Sequence, residues 1–377
     1  MKYIVSVFVL LCICAFSSCN KNSLFNPDVE KVYQTDGVND TIEGTPLTLD
    51  STILLPLTLQ CVDSFLIVMN SQSGSLLNVF NSCNDSLLAQ FGDIGHARNE
   101  FLSPVTHFYC GRPSKEKLLL RIQNGGTTVQ NVDLYASIKN KSCVLDKPIK
   151  HKDIGFYTSS FFLNRGKQLI HKSSHAESDV RDGNILPPYT EIVSGKNVLH
   201  YSPYPVPIVG DDASVSNAYA QTFKIGSDLS IFVEVPFFAN LFYILDIEKG
   251  EYTCVKEENG QDFVDLQNIV SNYSTEDGLR QMVFYNVELC VSDNFIFLIH
   301  DGHRLASEID SGDWSGFIPN IRIFDKEGNL INAFFLRESI YYIAYNEVSK
   351  KLYGIDTNKK VYVYDISKYI KELKNDV

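Results

Sequence analysis

Two stretches of this 377-residue chain bring imidazole and carboxylate groups close together. His171, His175 and Asp179 form the first, and His300-Asp301-Gly302-His303-Arg304, followed by Asp310 and Asp313, forms the second. Histidine and carboxylate side chains within reach of each other can ligate a metal ion or pass protons. The spacing fits no established ligand pattern, so the sequence assigns no metal, no cofactor and no catalytic residue. His171, His175, His300, Asp301, His303 and Arg304 stand as candidate ligand contacts, and solvated loop positions are the simpler expectation for them. No G-x-S-x-G elbow, P-loop or H-E-x-x-H occurs. The single tryptophan, Trp314, reads as a loop anchor, with carbohydrate stacking as the alternative.

A further cysteine has chemistry of its own. Met1-Lys2, an apolar run from Tyr3 to Phe16, and the small residues Ser17 and Ser18 directly before Cys19 have the order of a secretory signal peptide. The run is shorter than the roughly 20 residues that a membrane-crossing helix needs. Phe16-Ser17-Ser18-Cys19 resembles the lipobox of bacterial lipoproteins. That resemblance implies cleavage before Cys19 and lipid on its thiol, giving stable anchoring through several acyl chains. Asn20 in place of Asp implies sorting to the outer membrane, and the absence of an acidic cluster after Cys19 favours its periplasmic side over the cell surface. Residues 1–18 are therefore read as signal peptide and 19–43 as a lipidated tether.

Without the signal about 360 residues remain, enough for two average domains or one large β domain. The chain holds 24 Phe and 20 Tyr, with many β-branched residues and hardly any alanine-rich amphipathic stretches, which is strand composition. Its formal charge of −12 becomes −13 once Lys2 is removed, which excludes nucleic acid as a partner. Cys61, Cys83, Cys110, Cys143, Cys254 and Cys290 remain after export. No CxxC pair occurs, so most are expected as buried free thiols, with a bridge among the first four as the alternative.

A repeat decides the architecture. Phe65-Leu-Ile-Val-Met69, Lys117-Leu-Leu-Leu-Arg121, Lys167-Gln-Leu-Ile-His171, Leu229-Ser-Ile-Phe-Val233, Asn294-Phe-Ile-Phe-Leu298 and Lys351-Leu-Tyr-Gly-Ile355 each read as the second strand of a recurring unit. Intervals of roughly 50 to 65 residues match blades of four strands. An all-β, six-bladed β-propeller over residues 44–377 is predicted, in preference to a pair of β-sandwiches. The last unit has only three strands of its own, so an amino-terminal strand from Gly44 to Asp50 or from Lys31 to Thr35 must close the ring. Ile366 to Lys374 is predicted to form a short closing helix.

Between the first two units lies Gln90-Phe-Gly-Asp-Ile-Gly-His-Ala-Arg-Asn-Glu-Phe-Leu-Ser-Pro104. Gly92 and Gly95 suit a tight crossover from an outer strand to the next inner one. Phe91, Gly92, Gly95, Glu100 and Phe101 resemble the crossover of TolB-like six-bladed propeller lipoproteins of gut anaerobes. Ala97 and Arg98 stand where that family has Gly-Pro. The resemblance implies a six-bladed propeller and brings no settled activity with it. Arg98 and Glu100 are candidate ligand contacts, although a carboxylate that accepts crossover N–H groups is the preferred reading of Glu100, with Phe101 as a core anchor.

These features lead to a membrane-anchored, non-catalytic binding or scaffold module of the cell envelope, with a peptide, a glycan or another envelope protein as ligand. Two alternatives remain: a metal-assisted hydrolase or lyase acting on glycan or lactone-like substrates at the channel mouth, and a sensor or regulatory lipoprotein.

Overall fold

The computed structural model describes residues 28–370 except 36–39, 50–52, 54, 72–74, 96–99, 102–107, 125–127, 151–157, 164–165, 174–186, 205–207, 259, 311, 313 and 315. Cys19, Arg98, His175, Asp179 and Asp313 lie outside the described residues.

The chain forms six sheets in a ring, each with four antiparallel strands, A to D, from the channel outward. The A strands are Pro56–Val62, Phe108–Ser114, Thr158–Phe162, Gln221–Ile225, Val283–Val291 and Ile340–Asn346. The six B strands are Phe65–Asn70, Lys117–Asn124, Gln168–Lys172, Ile231–Pro236, Phe295–Leu305 and Lys351–Asp356. All six apolar markers overlap these B strands. The reason is geometric: a B strand is covered by neighbouring blades on both faces, so it reads as a continuous apolar run rather than an alternating one. Leu66, Ile67, Val68 and Met69 show this, all being fully buried.

The core lies between blades. Ile67, Leu77, Leu120 and Val132 fill the space between blades 1 and 2, and Val233, Phe242, Leu298 and Phe324 that between blades 4 and 5. The seam between blades 6 and 1 is filled by Leu59, Leu66 and Phe80 against Tyr353 and Ile355.

Three short amino-terminal strands pass along the outer edges of blades 4, 5 and 6: β1 (Val29–Tyr33), β2 (Thr41–Ile42) and β3 (Thr45–Pro46). The first pairs in parallel with the D strand of blade 4, Glu251–Glu257, as a fifth strand. The second does the same on blade 5, beside Leu330–Leu336. The third pairs antiparallel with Val361–Asp365 and supplies the missing fourth strand of blade 6. The segment from Gly44 therefore closes the ring, while Lys31 to Tyr33 covers an edge two blades away. Val29–Tyr33 and Thr41–Ile42, within the stretch read as tether, are thus built into the propeller as a strap.

Carboxy-terminal to blade 6 the predicted helix is replaced, in its described part, by a 3₁₀ turn at Ser367–Tyr369. Asp365 Oδ1 accepts from the Ser367 N–H at 3.0 Å, and the Tyr369 ring packs 4.4 Å from Phe334. Burying Tyr369 and Ile370 ends the turn after one revolution. The six cysteines after Cys19 are free thiols, so the alternative of a bridge is not formed.

Candidate functional site

Loops from D to A and from B to C share one face of the ring, termed the top face. Here the chain departs most from regular propeller structure, through short helices that composition did not reveal. Asp212–Ala218 lies between blades 3 and 4, Phe263–Asn272 and Thr275–Leu279 between blades 4 and 5, and Ala306–Asp310 in the B-to-C loop of blade 5. Each of the first three starts at a side-chain cap: Asp211 accepts from Ser214, Asp262 from Val264 and Asp265, and Ser274 from Asp277. Asp262 and Asp265 cap reciprocally, a local signal that was readable in the sequence.

Together with the starts of the A strands, three of these helices, Asp212–Ala218, Thr275–Leu279 and Ala306–Asp310, line an open cavity of about 570 Å³, within the usual range for small-molecule sites. Phe237, Phe238, Phe284, Leu279, Ile309 and Trp314 line its walls. Phe284 packs 5.7 Å from Phe237 and 5.8 Å from Phe238 by ring centroid, and Trp314 meets it edge-on at 6.5 Å.

Polar groups gather at the base. Lys224 donates to the Tyr342 hydroxyl at 2.8 Å and stands 3.7 Å from Glu288 Oε1. The Thr222 hydroxyl and the Leu289 N–H also donate to Oε1, at 3.0 and 2.9 Å. Burial alone would depress the lysine pKa, but Glu288 and Tyr342 outweigh it, so the ammonium form is held. Below this base the channel narrows to about 30 Å³ among Tyr109, Phe161, Phe223, Ile343 and Tyr345, room for one or two waters. The top-face cavity is a closed-ended pocket, not a pore.

The sequence-derived candidates occupy other places. His171 is fully buried on the B strand of blade 3 rather than solvated in a loop. Strand alternation turns it toward blade 4, where its ring lies 4.4 Å from Phe223 and 5.3 Å from Phe232. The Gln221 amide meets Nε2 at 2.9 Å, which leaves Nδ1 to donate to Thr190 Oγ1 at 3.0 Å. Thr190 in turn donates to Glu234 at 3.0 Å, and the Tyr252 hydroxyl donates to the same oxygen at 2.6 Å. Desolvation raises the Glu234 pKa to about 7 despite these donors.

His300 is likewise on a strand, because the B strand of blade 5 runs on to Leu305 and pairs Arg304 with Phe284. It is 6 % exposed. Its Nε2 donates to Asn240 Oδ1 at 3.2 Å and lies 3.9 Å from Glu257. Burial, with Arg322 and His303 adding to it, lowers its pKa well below the ordinary histidine value and keeps the ring neutral. Asp301 is also buried, and it accepts from Arg304 Nε at 2.6 Å. The Arg304 guanidinium lies over Trp314 at 4.6 Å and Phe317 at 4.5 Å, bracing the cavity wall from behind. Among the described candidates only His303 is exposed. His171 and His300 therefore serve different interblade seams and do not converge. Among the described residues no group of three or more His, Cys, Asp or Glu side chains is placed to hold a metal ion.

In the crossover after blade 1, Gly92 has φ +79° and lies where a Cβ would meet the Phe101 ring at 2.9 Å. The Gly95 N–H donates to Phe101 O at 3.0 Å and the Phe101 N–H to Asp93 O at 2.8 Å. Phe101 is fully buried, and the Glu100 carboxylate folds onto Gly95 in the space a side chain would need.

The cavity residues Lys224, Glu288, Phe237, Phe238 and Phe284 were not singled out from sequence. They come from separate strands and turns, and the nearest local signal was the Phe237-Phe238 pair in a B-to-C turn, where exposure would disfavour two aromatics.

No family model matches the chain, and no curated protein matches it. Solved structures similar to it include the β-propeller domain of Cps50 (Swd1) from Myceliophthora thermophila, at 9 % identity over 86 % of this chain and 100 % of that one, with a TM-score of 0.42. A member of the duf4221 family from Bacteroides vulgatus is 10 % identical over 85 % of this chain and 94 % of that one, with a TM-score of 0.48. BBS1N, solved in complex with ARL6DN, is 8 % identical over 82 % of this chain and 77 % of that one, with a TM-score of 0.38. The strand order itself establishes what this chain is: a six-bladed β-propeller with four-stranded blades.

Proposed function

We propose that this protein is a binding module of the bacterial cell envelope, anchored by lipid on Cys19 to the periplasmic side of the outer membrane, and that it binds at its top face. Its ligand is a peptide, a glycan or a segment of another envelope protein. The observation that carries the reading is the aromatic cavity of about 570 Å³ over the Lys224, Glu288 and Tyr342 base. A concave apolar site with a few convergent polar groups is what ligand recognition requires. The crossover residues Phe91, Gly92, Gly95, Glu100 and Phe101 support membership of the TolB-like propeller lipoproteins, and the Phe16 to Cys19 lipobox supports the anchor.

Capture from detergent-solubilised envelope tests the reading, with wild-type protein and a Phe237→Asp variant whose melting temperature is checked alongside. The expected result is a partner retained by wild type and lost from the variant. Equal recovery by both, or none by either, would count against a top-face binding role.

A further inference from the structure

We infer that the part of the ligand that fills the top-face cavity is neutral and amphiphilic: an apolar body of ring or chain carbons that ends in a hydroxyl group. This rests on the top-face reading above and names the chemistry of the occupant.

The walls set the body. Phe237 and Phe238 follow the B strand of blade 4, Phe284 begins the A strand of blade 5, and Trp314 belongs to the long B-to-C loop of blade 5. Three segments thus present aromatic faces or edges to one space, and among the described residues no charged group lines it above the base. An apolar body is favoured there through removal of its surface from water.

The base sets the end group. Lys224 and Glu288 are 22 % and 13 % exposed, so both reach the cavity while largely withdrawn from bulk water. Their charges cancel. A ligand carboxylate would meet Lys224 only at the cost of approaching Glu288, and a ligand ammonium would meet Glu288 only by approaching Lys224. In a partly desolvated site such a like-charge approach is unfavourable. A hydroxyl suits both, because it accepts from the ammonium and donates to the carboxylate. Glu288 Oε1 is already engaged by Thr222 and Leu289, which makes Oε2 the oxygen for a ligand donor. The packed channel beneath stops the ligand from threading through, so it enters polar end first from the top face.

Trp314 is the chain's single tryptophan and lines the cavity, so its emission reports occupancy directly. The test uses the mature chain from position 19 onward with Cys19→Ser, which carries neither lipid nor the apolar signal, and three probes sharing one body: 4-phenylbutanol, 4-phenylbutyrate and 4-phenylbutylamine. The alcohol is expected to change Trp314 emission saturably and to bind at least about ten-fold tighter than either charged probe. Glu288→Gln should shift the preference toward the carboxylate, and Lys224→Met toward the amine, each variant being checked for an intact melting transition. If Lys224→Met fails to fold, the isosteric Glu288→Gln still decides. The inference is overturned by the absence of a saturable response to the alcohol, by charged probes that bind as tightly, or by an order that folded variants leave unchanged. Should that happen while partner capture still depends on Phe237, the ligand class is wrong and the top-face reading stands.

Discussion

Arg322 Nη1 of blade 5 donates to the Tyr33 hydroxyl of the amino-terminal strap at 2.7 Å, across 289 positions of sequence. The same guanidinium holds Glu257 of blade 4 through two bonds, at 3.1 and 3.2 Å, and Thr35 adds a third to that carboxylate at 2.5 Å. The Tyr33 ring meets Phe324 edge-on at 5.0 Å. Strap, blade 4 and blade 5 thus share one buried polar centre. On the lipid-anchor proposal, the route from membrane to propeller runs through it.

Arg322→Leu should be strongly destabilising, because it leaves Glu257, 15 % exposed, without its counter-charge. A loss of about 3–5 kcal/mol is expected, measured by urea denaturation. Tyr33→Phe keeps the ring packing and removes one hydrogen bond, so it should cost only about 1 kcal/mol. Similar losses from both would mean that the charge pair does not hold the strap.

Glu234 supplies a pH dependence. Its folded pKa of about 7 lies above the ordinary carboxylate value, so the folded state favours the protonated form. The stability associated with that proton is present at pH 4, below the unfolded value, and is lost as pH rises toward 7. The total is on the order of 3 kcal/mol. Glu234→Gln should flatten this part of the profile, gaining on wild type at pH 8 relative to pH 4. Denaturation midpoints at the two pH values measure the difference, and parallel profiles would show that Glu234 ionises freely in the fold.

His300 acts with the opposite sign. Its folded pKa is depressed, so protonation of the unfolded chain drains stability as pH falls below the ordinary histidine value. In His300→Asn the loss of stability between pH 7 and pH 5 should be smaller than in wild type. A metal-ligating His300 would instead show a metal-dependent melting temperature.

Phe101 and Gly92 hold the crossover between blades 1 and 2. Phe101→Ala should cost about 3–5 kcal/mol, the usual range for emptying a buried aromatic site. Gly92→Ala combines a left-handed backbone with a contact to that ring, and so should also destabilise the fold. Thermal melting checks both.

The B strands were legible because burial on both faces makes them continuous apolar runs, as in Leu66 to Met69. Ring closure was legible because Ile340 to Asp365 holds only three strands. The histidines were misplaced because a polar residue after an apolar run looks like the start of a loop, whereas His300 to Leu305 continues the ladder with blade 5's own A strand. Lys224 and Glu288 carry no local pattern. They become a pair only once blades 4 and 5 stand side by side at the channel.

The anchor is tested by labelling cells with a palmitate analogue. Label is expected on wild type and absent from Cys19→Ser, which should also move to the soluble fraction. Retention of label by the variant would place the lipid elsewhere.

Binding through the top face is tested most directly by photo-crosslinking in the intact envelope, with a photoreactive residue at Leu57 on the cavity wall or at Val348 on the opposite face. A discrete adduct from position 57 and none from 348 is expected. An adduct from 348 alone, or from neither position, would contradict it.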